Sequence, residues 1–96
     1  MTACYEPGDP LRMILTLAIV HMRDADRYRL ITDDWHEHQA SVHDSMADRL
    51  VETFADLMMR KVWEVWHSVK DAAEGGVNAY SAAGCLLADF RKRWEE

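Results

Sequence analysis

Glycine and proline are scarce in this chain, with four glycines and two prolines in 96 residues, and asparagine occurs once. Between Asp34 and Ala73 there is neither glycine nor proline. No stretch alternates apolar and polar residues with the period of two that a half-buried strand requires, so a sheet is not expected. Cysteine is equally sparse. Cys4 and Cys85 are too few for the disulfide framework of a small secreted domain, and the reading is a reducing, cytoplasmic setting. Long apolar runs are missing too. Met13–Val20 is eight residues long, is interrupted by Thr16, and is flanked by Arg12 and His21. A membrane span needs about 20 residues, so this segment reads as a buried helix and no membrane partner is expected. A basic region followed by an apolar run is absent at the start, so no signal peptide is expected.

Positive charge is also in short supply. Lysine and arginine number 11 against 17 acids, for a formal net charge of −6. Phosphate binding depends on clustered cations that release counterions, so no nucleic-acid partner is expected. The acids are interleaved with bases, as in Arg49, Glu52, Asp56 and Arg60, which describes a solvated helix face with i,i+3 and i,i+4 pairs. Arginine outnumbers lysine eight to three, which points to a GC-rich coding sequence.

What is present is helical periodicity. Residues 1–8 read as a tail and 9–96 as one helical domain. Gly8-Asp9-Pro10 reads as a helix start, with Asp9 as cap and Pro10 at the first position, where its missing N–H costs nothing. Leu11, Ile14, Leu15, Ala18, Met22 and Ala25 follow at helical spacing, and Met13, Leu17 and Val20 widen the apolar arc. Only Arg12, Thr16, Arg23 and Arg27 form a polar strip, so this helix should be touched on two sides. Asp34 with Glu37 fits a capping box, and Ser41 with Asp44 offers a second start. Val42, Met46, Leu50, Phe54, Met58, Val62, Val65 and Val69 then form one stripe, with Val51, Leu57 and Ala72 beside it. A single helix from Ser41 to Ala73 would be about 50 Å long. Gly75-Gly76 should end it in a left-handed cap. Asn78 should cap a last helix that carries Tyr80, Ala83, Gly84, Leu87, Phe90 and Trp94 on one face. The fold expected is all-α, a three-helix bundle with a long central helix that either bends, breaks near Ser41 or packs its overhang on a second copy in a dimer.

Three groups of residues invite chemistry. His36, His38 and His43 fall within eight residues, among Asp33, Asp34, Glu37 and Asp44. Zinc needs three or four converging ligands. His36 and His43 share a helix face, His38 points elsewhere, and the position that would complete a His-x3-His pair with His36 is Ala40. No metal ligand set, cofactor or catalytic residue is therefore assigned. Cys85 has no histidine after it and lies beyond the first turn of its helix, so it reads as inert. Arg60 and His67 are the third group. Their spacing resembles the Arg-x4–6-His motif of the HEPN ribonucleases, which are helical and often dimeric. The resemblance covers two residues and implies an arginine and a histidine meeting at a dimer cleft to cleave RNA without metal. Arg29 and His36 repeat the spacing, and a salt-bridged polar face accounts for the same residues.

Trp63 is the most informative residue. On the long helix it falls about 160° from the centre of the apolar stripe, among Glu52, Asp56, Arg60, His67 and Lys70. Met59 and Trp66 flank it, so Met59, Trp63 and Trp66 form a second apolar patch and the candidate partner-binding site. Tryptophan buries a large area with few rotors, which suits an interface anchor. Lys61 falls inside the apolar arc, where its stem would pack and its ammonium reach out. The expected function is a small non-enzymatic interaction or regulatory protein, of which a phage-encoded inhibitor of a host protein is one example. The partner would be another protein or a second copy of the chain. The alternative is a metal-binding or RNA-cleaving helical protein that uses the histidines.

Overall fold

The computed structural model describes residues 9–94. They form four helices and no strand: α1 (Pro10–Tyr28), α2 (Asp34–Met58), α3 (Val62–Glu74) and α4 (Ala79–Trp94). The proposed tail, residues 1–8, lies outside the described residues. Among the described residues no helix is long and apolar enough to cross a membrane.

Local chemistry explains most of the helix ends. The Asp9 carboxylate accepts from the N–H groups of Leu11 and Arg12 at 3.2 and 3.3 Å, and Pro10 is the first helical residue. Asn78 Oδ1 accepts from Tyr80 and Ser81 at 3.0 and 3.2 Å and starts α4. The cap of α2 falls one residue before the expected Asp34. It is Asp33, whose carboxylate accepts from the His36 N–H at 2.8 Å.

The long central helix is not formed. The chain leaves the helix at Met59, which has φ 57° and ψ 46°, and re-enters it at Val62. Met59 N–H donates to the Asp56 carbonyl at 3.1 Å, and Arg60 N–H to the Ala55 carbonyl at 2.8 Å. These two bonds make a Schellman closure with methionine in the left-handed position that glycine usually takes. Leu57, Met58 and Lys61 are good helix formers, so propensity gives no warning of the break. Packing supplies the reason. The 19 residues of α1 span about 28 Å, so a straight 50 Å helix would carry Val65, Val69 and Ala73 past its end. The turn folds them back, and all three are buried.

As α1 runs from His21 to Tyr28, its ring partners on α2 run from His43 back to His36, so the two helices are antiparallel. The central role belongs to α1, which packs on each of the other three and forms the two most extensive helix pairs, with α2 and with α4. The large buried side chains are Leu15, Ile19 and Met22 of α1, Val51 and Phe54 of α2, Val65 and Val69 of α3, and Leu87 and Phe90 of α4. Phe54 and Phe90 meet with centroids 5.6 Å apart, and Trp94 stacks on Phe90 at 4.5 Å. The inner face of α2 is rotated from the expected stripe. Ala47 and Ala55 are buried, while Met46 and Leu57 are exposed. Alanine lets a neighbouring backbone approach, so close packing selected the small residues rather than the large ones.

Two arginines of the α1 polar strip lock the bundle. Arg12 lies 3.6 Å over the Tyr80 ring and donates to the Tyr80 carbonyl through Nε and Nη2 at 3.0 and 2.9 Å. Gly84 makes the room, because a Cβ there would come within 2.7 Å of the guanidinium carbon. Arg23 reaches the end of α3. Its Nε donates to the Ala73 carbonyl at 3.0 Å, and its Nη2 faces the carbonyls of Ala72, Gly75 and Val77 at 3.2, 2.9 and 2.6 Å. Gly75 therefore need not take the expected left-handed cap, and it stays extended at φ −77° and ψ 168°.

Met59→Gly should raise the unfolding free energy by about 1 kcal/mol, because it relieves the crowding of the left-handed conformation. Urea melts measure this directly. Arg23→Ala should lower it by about 2–3 kcal/mol, the scale of hydrogen bonds from a charged donor. Arg27→Ala, at an exposed arginine of the same helix, should change it by less than about 0.5 kcal/mol.

Candidate functional site

The turn between α2 and α3 presents several large apolar side chains to solvent. Met59 is 90% exposed, Trp63 61% and Leu57 59%. Val62 is also exposed, so four apolar side chains fall within seven residues of chain. The left-handed residue Met59 lies at this corner, and Trp63 sits in the first turn of α3. Exposed polar residues Asp56, Arg60 and Lys61 border it. Lys61 does not lie in an apolar arc; it is the exposed residue that precedes α3. Because the helix breaks here, Met59 and Trp63 no longer occupy one helical face. They adjoin across a turn instead.

Trp66, the third residue of the expected patch, is placed differently. It is half-buried and packs against the core, and its indole N–H donates to Asp48 Oδ1 at 3.2 Å. It ties α3 to α2, with the Lys70 ammonium 6.0 Å from its ring. The corner is therefore Leu57, Met59, Val62 and Trp63.

Arg60 and His67 have separate partners. The Arg60 guanidinium lies 4.8 Å over the Trp94 ring, whereas the His67 ring meets the edge of Trp66 at 5.4 Å. In the repeat of that spacing, Arg29 pairs with Asp26 and Asp44, and His36 with Asp33. Cys85 is exposed on α4 beside a groove between α3 and α4. The ionisable groups lining that groove with it are Asp71 and Asp89, which supply neither an imidazole base nor a cation for a thiolate.

The histidines divide as well. His38 is exposed, and His36 and His43 both face Tyr28, at 6.0 and 5.4 Å between ring centroids. They lie seven residues apart on one helix, about 10 Å along its axis, too far to share one ion. His43 turns instead to α1. Its Nδ1 lies 2.8 Å from the Nδ1 of His21, and Asp24 completes a group whose ligand atoms all lie within 4.8 Å of one another. Neither His21 nor Asp24 stood out in the sequence. Their signal is the i,i+3 spacing that puts both on one face of α1, and it becomes visible only once α1 and α2 are paired.

Asp33 ends the series. Its carboxyl is held below the ordinary carboxylate value, first by the His36 backbone N–H and then by the His36 side chain, against a smaller opposing effect of desolvation. A lowered folded-state pKa favours the ionised form in the fold. The stabilisation is then complete above the unfolded-state value and is lost as the pH falls through the folded one. Stability should drop on acidification below about pH 4, and Asp33→Ala should flatten that part of a pH series of thermal melts. Comparison of the chain with protein-family models, with curated proteins and with solved structures finds no match.

Proposed function

We propose that this chain acts by binding another protein, without catalysis, through the corner formed by Leu57, Met59, Val62 and Trp63. The observation that carries the reading is Trp63. It keeps 61% of its surface exposed at a turn where Leu57, Met59 and Val62 are also exposed. A tryptophan and a methionine held this way offer apolar area that a partner can desolvate, and a polar border suits the rim of such an interface. Methionine adds adaptability, because its unbranched chain fills irregular gaps.

The four exposed side chains come from one short turn, and this favours a groove on a different protein over a second copy. A two-fold interface has to be self-complementary, and a stable one buries about 800 Å² on each partner. Four side chains of one turn meeting their own copy would bury much less. The role that fits is regulatory: occupancy of a groove on the partner. The exposed thiol of Cys85 is in keeping with a reducing, cytoplasmic setting.

Trp63→Arg should weaken association with the partner at least tenfold and leave the melting temperature nearly unchanged, because so little of the ring is buried. The measurement is cross-linking and affinity capture from the source cells with wild type and variant, followed by titration of the captured protein. Cooperative unfolding lost in Trp63→Arg would make the residue core. A wild-type chain that sediments as a dimer, and a variant that sediments as a monomer, would replace the hetero-partner with a second copy.

A further inference from the structure

We infer that His21, Asp24 and His43 form a binding site for a divalent cation of the zinc class, held between α1 and α2. The inference does not depend on the protein-binding reading.

Three observations support it. First, the donors converge. The Nδ1 atoms of His21 and His43 are 2.8 Å apart, and one ligand atom from each of the three residues lies within 4.8 Å of the others. Ligands on a tetrahedral zinc ion, at 2.0–2.2 Å from the metal, stand about 3.4 Å from one another. Small χ rotations at half-buried side chains on an exposed rim cover the difference.

Second, the donors come from two packed elements. His21 and Asp24 are i,i+3 on α1, and His43 arrives from the antiparallel α2. His43 is further fixed by the Tyr28 ring, stacked against it at 5.4 Å with 14° between planes. The competing hold on Asp24 is slight. Arg27 Nη1 lies 3.6 Å from Oδ1, and the Arg27 side chain is 78% exposed, so it can swing away into water.

Third, the donor chemistry selects the ion. Two imidazoles and a carboxylate suit zinc and its first-row neighbours, whereas calcium and magnesium prefer all-oxygen sets. Without an ion, two neutral rings this close share one proton, with one Nδ1–H donating to the other Nδ1 lone pair. When the cation enters, that proton leaves Nδ1 and, through water, protonates Nε2 of the same ring. Both rings stay neutral, and both Nδ1 lone pairs face the metal. Three protein ligands leave the fourth position to water, the pattern of an open zinc site rather than a closed structural one. Its immediate effect on the fold is to fasten α1 to α2.

The test is a zinc titration of chelator-stripped full-length protein, followed by a chromophoric competitor, with thermal melts in parallel. One zinc per chain should bind saturably and raise the melting temperature, and magnesium and calcium should do neither. His21→Ala and His43→Ala should each weaken binding about tenfold or more, Asp24→Asn should weaken it less, and His36→Ala and His38→Ala should leave it unchanged. If His21→Ala does not fold, His21→Gln preserves a hydrogen bond to His43 and removes the imidazole ligand. Two results would overturn the site: no saturable zinc binding by the wild-type chain, or zinc binding at wild-type strength in the folded His21→Gln/His43→Gln double variant.

Discussion

The Arg23 guanidinium closes the open end of α3 from across the bundle, reaching the carbonyls of Ala72, Ala73, Gly75 and Val77. The last carbonyls of a helix have no partner within it. Here one planar cation on α1 supplies the donors and fixes where α3 ends, where the link to α4 runs, and how both lie on α1. The Nη2 amino group faces three acceptors with two hydrogens, so one of them is shared. Arg12 holds the start of α4, donating to the Tyr80 carbonyl with its plane laid on the Tyr80 ring over the gap left by Gly84. The polar strip of α1 is thus its means of attachment, and the apolar arc around it does the burying.

Much of this was legible in the sequence, because caps and faces are local. Asp9-Pro10 and Asn78 announce helix starts, and the face from Ala83 through Leu87 and Phe90 to Trp94 follows from period alone. Apart from the one-residue shift of the α2 cap to Asp33, the failures are non-local. Nothing in Leu57-Met58-Met59-Arg60-Lys61 marks a break, since those residues favour helix and no glycine stands where the left-handed residue falls. The break answers to the length of α1, a property of a different segment. The stripe from Val42 to Val69 holds at Leu50, Phe54, Met58, Val65 and Val69 and fails at Met46 for a related reason. Size was taken as the sign of the inner face, while the packed helices required the alanines at 47 and 55. The tail and the domain bounds drawn from composition are not tested by this fold.

The candidate sites follow the same division. Trp63 was singled out because it sat opposite an apolar stripe, and it is exposed, although the helix on which that argument rested is interrupted before it. Trp66 was grouped with it by spacing, yet its indole faces Asp48 and the core. Sequence clustering drew His43 toward His36 and His38; the hairpin draws it to His21 instead. A five-residue link between α1 and α2 sets that register, so the relevant neighbour is 22 residues away in the chain and invisible to any short window along it.

The way Arg23 grips its target has a consequence for how this fold can drift. Every acceptor it uses belongs to the main chain, and every residue type carries one. The turn from Ala72 to Val77 is therefore recognised by shape, and its side chains are left without an assigned task in that recognition. Selection on this joint falls on a position fifty residues upstream. Two descendants of this chain could share the same turn geometry while agreeing at none of its residues, provided that each kept the arginine.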